Sequence, residues 1–232
     1  MSVFLYIPNL IGYLRVYLLG VAVYHGFSDF RVFFVAYSAS QLLDAADGWA
    51  ARKFKQSSAF GAVLDMVTDR VSSNLLLLVL ANLHFQYFFF FAFLAALDYA
   101  SHWTQMYASV YVGNSSHKNI SVDRPWLLRV YYTNKAFLFL NCLCQEAALL
   151  ALYLLHFHPL PGVSHDFLFA CLVASAPLGL LKQIINLVQL VDASKLIVRH
   201  EQDALTKPSS AARSLSPKTG GARKRAASKK RE

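Results

Sequence analysis

The chain has 232 residues, 56% of them hydrophobic and only 15% charged, with a mean hydropathy of +0.39. A soluble domain carries about 25% charged residues, so this composition argues for a membrane protein. Its apolar stretches are continuous and do not alternate with period two, which argues against a porin-like barrel. The net charge of +9 is uneven: from Lys195 onward there are eleven Lys/Arg against three Asp/Glu, a net +8. Cys142, Cys144 and Cys171 all lie in apolar stretches and read as small buried hydrophobes. Arg15 interrupts the first apolar run and no basic segment precedes it, so no cleaved signal peptide is expected.

In chain order, a first membrane helix is expected from Pro8 to His25, with proline in its first turn. Arg15 on it reads either as a snorkelling anchor or as a site residue. A second helix runs from Arg31 to Lys53, apolar first and polar from Asp44. After a polar connector, Lys55 to Ser58, a third runs from Ala59 to Leu83 and is polar first. The two polar halves therefore meet at one membrane face. A fourth helix, Tyr87 to Val112, carries Asp98 and His102 one turn apart behind an aromatic, lipid-facing run. A polar loop, Gly113 to Arg129, leads to a fifth helix from Tyr132 to His156, and a sixth spans Phe167 to Val191. The fold class is thus all-α, a polytopic membrane protein with six transmembrane helices over residues 1–198. Residues 199–232 form a basic tail expected to be disordered. Six spans put both termini on one side, together with Lys53, Lys55 and the basic loop, and the positive-inside rule makes that side cytosolic. Asn114 and Asn119 match glycosylation triplets but would face the cytosol unmodified. A membrane-tethered tail also argues against a nucleic-acid partner.

The stretch from Asp44 to Asp69 stands apart. Asp44 and Asp47 share a helical face, and Gly61, Asp65 and Asp69 follow at intervals of four. If the two helices pair antiparallel, four carboxylates meet. Each such ion within a membrane costs several kcal/mol, so a counter-charge is required. All-oxygen ligands favour Mg²⁺ or Mn²⁺. Four carboxylates point to two ions sharing bridging ligands, a device for phosphoryl chemistry. Gly48, Ala51 and Gly61 leave a flat surface for a bulky planar group, and Arg52 can donate to a phosphate. Small residues can instead simply pack helices closely. Their combination with the carboxylates and Arg52 favours a site.

The pattern Asp44-x2-Asp47-Gly48-x2-Ala51-Arg52-x8-Gly61-x3-Asp65-x3-Asp69 resembles the complete motif of the CDP-alcohol phosphatidyltransferases. The resemblance implies a six-helix, dimeric membrane enzyme that transfers a phosphatidyl group from a CDP-linked lipid to an alcohol and releases CMP. It implies that Asp44, Asp47 and Asp65 are metal ligands and that Asp69 is both a ligand and the general base. It also implies that Gly48, Ala51, Arg52 and Gly61 line the CDP site. FLYIPNLIGYLR, LDYASHW, Ser116-His117-Lys118 and RVYYT are similar to the inositol-using branch of the family. That similarity implies CDP-diacylglycerol and myo-inositol as substrates and the endoplasmic reticulum, with the Golgi as the alternative, as location. His117, Lys118, Arg129, Tyr132 and Lys135 are the candidate acceptor-binding residues. Asp98, His102, Glu146 and Lys182 are intramembrane ions without an assigned role. The alternatives are another acceptor (glycerol phosphate, serine or an amino alcohol) and, more remotely, a divalent cation transporter.

Overall fold

A computed structural model describes residues 2–113 and 124–206. Its described residues form seven α-helices: α1 Ile7–His25, α2 Phe30–Lys53, α3 Ala59–Leu83, α4 Phe88–Tyr111, α5 Trp126–Thr133, α6 Lys135–His156 and α7 His165–Thr206. Helix starts follow local chemistry. Asp29 caps α2 by accepting from Arg31 N at 2.9 Å, Ser58 caps α3 from Gly61 N at 3.0 Å, and Asn134 caps α6 from Phe137 N at 3.0 Å.

α1 explains much of the architecture. It is apolar on most sides, yet its buried stripe contains Asn9, Gly12 and Arg15 as well as Leu19 and Ala22, at helical spacing. A helix in lipid has no reason to turn its most apolar face inward, so small and polar residues make its contacts. α1 packs extensively on α2 and also on α3, whereas α2 and α3 touch only sparsely. The expected direct pairing of α2 with α3 is therefore replaced by an arrangement with α1 serving both. α6 pairs with α7, α4 packs on α7 and α3, and α3 also reaches α6.

The apolar core lies away from the aspartates. Phe33, Tyr37, Leu76, Leu77, Leu80, Phe91 and Tyr153 gather there, and the Phe33 and Tyr153 rings lie 4.1 Å apart. The Tyr153 hydroxyl donates to Gly26 O at 3.0 Å, so its polar end is satisfied in an apolar setting. The outer surface is apolar too: Phe89 is 86% exposed and Phe93 60%.

The chain is an integral membrane protein. By length and composition α1, α6 and α7 can each cross a bilayer, and α3 with α4, bent by 119° at their junction, adds one candidate span. This is three or four spans where six were expected. α2 falls out because Arg31, Asp44, Asp47, Arg52 and Lys53 all lie on it. Two further expectations need correction. Part of the expected loop is the short helix α5, which starts after Pro125 and ends where Asn134 leaves helical geometry to cap α6. α7 does not stop at Val191 but runs for 42 residues to Thr206, because no glycine or proline follows Val191 before Pro208. The boundary at 198/199 falls within it. The rest of the tail lies outside the described residues, as do Asn114, His117, Lys118 and Asn119.

Candidate active site

The end of α2 and the start of α3 present four carboxylates to one point, and that point is held by Arg15 of α1. Its Nη1 lies 2.8 Å from Asp44 Oδ1, 2.9 Å from Asp47 Oδ2 and 3.0 Å from Asp65 Oδ1; its Nη2 lies 2.6 Å from Asp69 Oδ1. Arg15 is fully buried, so it does not snorkel; it is turned inward to the four carboxylates. A signal existed in the sequence: an arginine within an apolar helix normally faces the bundle interior and a partner.

The aspartates themselves keep access to solvent, with side-chain exposures of 45% for Asp44, 48% for Asp65 and 31% for Asp69, against 9% for Asp47. Asp44, Asp47 and Asp65 each place a carboxylate oxygen within 4.8 Å of the others. An all-oxygen, negatively charged set that already gathers around one cation fits a divalent metal.

Beside the carboxylates lies a cavity of about 160 Å³. Pro8, Asn9 and Gly12 of α1 form one wall, Asp47, Gly48 and Ala51 of α2 another, and Gly61, Ala62, Leu64 and Asp65 of α3 a third. Gln56, Ser57 and Ser58 close the end. Gln56 Oε1 accepts from Ile7 N at 2.8 Å and so ties the connector to the start of α1. Gly48, Ala51 and Gly61 thus share one cavity. Arg52 is not in its wall; it is exposed and lies back over Gly48, its Nη1 3.4 Å from where a Cβ would be.

A model of the CDP-alcohol phosphatidyltransferase family matches residues 5–174. The chain belongs to this family. The CDP-diacylglycerol–inositol 3-phosphatidyltransferase of Schizosaccharomyces pombe is 41% identical over 217 residues, covering 85% of this chain and 91% of that protein. Arabidopsis thaliana CDP-diacylglycerol–inositol 3-phosphatidyltransferase 1 is 40% identical over 218 residues, covering 90% and 95%. The Homo sapiens CDP-diacylglycerol–inositol 3-phosphatidyltransferase is 40% identical over 195 residues, covering 84% and 92%. No solved structure matches.

In this phosphatidyltransferase the proposed acceptor residues are not gathered at the aspartates. Arg129 and Lys135 are exposed, and among the described residues neither makes a hydrogen bond or ion pair to the cluster. Tyr132 donates to Gln189 Oε1 of α7 at 2.7 Å. What adjoins the aspartates is a buried polar layer. Ser72 Oγ donates to Asp69 O at 2.8 Å, and Ser73 Oγ bonds Glu146, which also accepts from Tyr37 at 2.6 Å. Next to Asp69 on the chain, Arg70 Nη1 lies 3.3 Å from Asp98 Oδ1 and 3.2 Å from His102 Nε2. Asp98 also accepts from Asn74 at 3.1 Å and Asn186 at 3.2 Å, and Asn186 in turn accepts from Lys182 at 2.9 Å. Glu146 is therefore satisfied by contacts between helices, whereas Lys182 is satisfied within α7 by Asn186, four residues on, whose amide in turn reaches Asp98 of α4.

Gly61 shows how closely α1 approaches. A Cβ there would lie 2.8 Å from Asn9 Oδ1, and Asn9 is itself buried and donates to Val3 O at 2.6 Å. Gly61→Ala would add up to about 1 kcal/mol of helix propensity, against an overpacking cost of about 1–3 kcal/mol. The expected net loss is about 1 kcal/mol, seen as a lower unfolding temperature in detergent. A variant as stable as the wild type would mean that Asn9 gives way freely.

Proposed function

We propose that the protein transfers the phosphatidyl group of CDP-diacylglycerol to myo-inositol, giving phosphatidylinositol and CMP. The observation that carries this reading is the convergence of four motif carboxylates on one cationic point beside a cavity lined by the motif's small residues. Relatives 40–41% identical over most of both chains bear the corresponding name.

Two divalent cations, Mg²⁺ or Mn²⁺, held by Asp44, Asp47, Asp65 and Asp69, would neutralise charge on the pyrophosphate and on the departing CMP. The chain's own residues do the rest. Gly48, Ala51 and Gly61 let the nucleotide lie against the helix backbones. Arg52, at the rim, donates to a phosphate oxygen. Asp69 takes the proton from an inositol hydroxyl as its oxygen attacks the lipid-side phosphorus and the bond to CMP breaks. Arg129, Tyr132 and Lys135 remain our acceptor candidates among the described residues, with His117 and Lys118 beyond them.

The reading includes six crossings, by α1, α2, α3, α4, α6 and α7, each 19 residues or longer. The ions of α2 are then placed at the cytosolic end of the bundle, where inositol and a lipid-borne nucleotide both have access. A homodimer in the endoplasmic reticulum, with a basic cytosolic tail, belongs to the same proposal. The test is CMP release by purified protein from CDP-diacylglycerol with Mg²⁺ or Mn²⁺ and a panel of alcohols. Release should depend on inositol. Release with serine or glycerol phosphate but not inositol would reject the acceptor.

A further inference from the structure

A second cavity, of about 350 Å³, lies between the start of α5 and the C-terminal half of α7, with walls distinct from those of the aspartate cavity. Its lining changes character along α7. Leu187, Val188 and Val191 form an apolar part; one and two turns further on Lys195 and Arg199, with Leu196 between them, bring in positive charge, and Arg124 faces them from the residue before Pro125. The change falls where the apolar run of α7 ends, at Val191. At about 1.5 Å per residue, the 42-residue α7 is roughly twice as long as the hydrocarbon core is thick. Its last turns must therefore stand beyond that core.

α5 supports the same level in the membrane. It buries Leu128 and Tyr131 and exposes Trp126 and Arg129, as a short helix lying along an interface does. The cavity is thus apolar toward the bilayer interior and cationic at headgroup level. One carboxylate, Asp192, lies in it, with Oδ2 3.6 Å from Arg124 Nε. Among the described residues, three cations against one carboxylate leave the lining with an excess of positive charge. None of these residues has a part in the transfer reaction proposed above.

We propose that this groove binds an anionic glycerophospholipid, with its headgroup phosphate among Arg124, Lys195 and Arg199 and an acyl chain against Leu187, Val188 and Val191. A free anion would leave the apolar wall unused, and a zwitterionic lipid would bring a second cation to a cationic pocket. Basic pockets beside membrane helices hold anionic headgroups by this combination of charge and apolar contact.

The test uses the full chain in a neutral detergent, with unfolding temperature followed as lipid is added. Phosphatidylglycerol should raise it saturably; phosphatidylcholine and soluble glycerol phosphate should not. Lys195→Gln with Arg199→Gln removes two exposed charges and leaves the basic tail and the aspartate site intact. It should raise the half-saturating phosphatidylglycerol concentration by about thirtyfold. Asp192→Asn should tighten it severalfold. Equal stabilisation by phosphatidylcholine, an equal effect of glycerol phosphate, or a double variant that responds like the wild type would each overturn the proposal.

Discussion

Asp69→Asn is expected to lower kcat by at least about a hundredfold, the lower bound for losing a positioned general base, while the protein still folds. The substitution preserves shape. An amide oxygen can still accept from Arg15 Nη2, which now lies 2.6 Å from Asp69 Oδ1. What disappears is a charge and a proton acceptor at the end of the cluster where α3 turns toward the polar layer. Asp69 has two proposed roles, and raising the metal concentration separates them. If the variant lacks only a metal ligand, saturating Mn²⁺ restores turnover; if it lacks the base, turnover stays low at saturation. Thermal unfolding close to the wild type would show that the loss is chemical. Turnover within a few-fold of wild type at ordinary metal concentration would remove Asp69 from the mechanism.

The second large effect concerns Arg15. Its guanidinium is fully buried and contacts all four carboxylates. Arg15→Leu leaves those carboxylates facing one another without a counter-charge. Breaking a buried ion pair on one side costs about 3–5 kcal/mol. Because Asp44 and Asp65 are roughly half exposed, the lower end, about 3 kcal/mol, is expected here. The loss should appear as a much lower unfolding temperature in chelator. Mn²⁺ should restore most of it, since a divalent ion supplies the missing charge, and the variant should gain more stability from metal than the wild type does. A variant as stable as wild type in chelator, with no added response to Mn²⁺, would show that Arg15 is not the counter-charge of the metal-free site.

Several features were legible because they depend on spacing alone. The motif from Asp44 to Asp69 could be read directly, since helical periodicity places its carboxylates on two faces and the polar connector brings those faces to one end. The apolar character and the main helices were legible for the same reason. Asp98 was legible only as an ion needing a partner. Its i,i+4 neighbour His102 does lie close, Nδ1 3.6 Å from Asp98 Oδ1 and 2.9 Å from Asp98's backbone oxygen, but the carboxylate also takes Arg70, Asn74 and Asn186 as partners. Local spacing supplies the His102 contact, and packing against α3 and α7 adds the others. α5 was missed because Pro125 and Asn134 punctuate a segment too short to show its period.

The sequence by itself therefore determined the family, the membrane class and which carboxylates work together, because each depends on residue type and near-neighbour spacing. Only the tertiary structure decided that α1 lies against both motif helices. It alone placed Arg15 among aspartates 29 to 54 positions away along the chain, gave Glu146 its partners, and opened a basic groove beside α5 and α7. Those outcomes depend on how helices remote in sequence pack, and in a bundle whose helices are apolar nearly all round, no single helix carries that information.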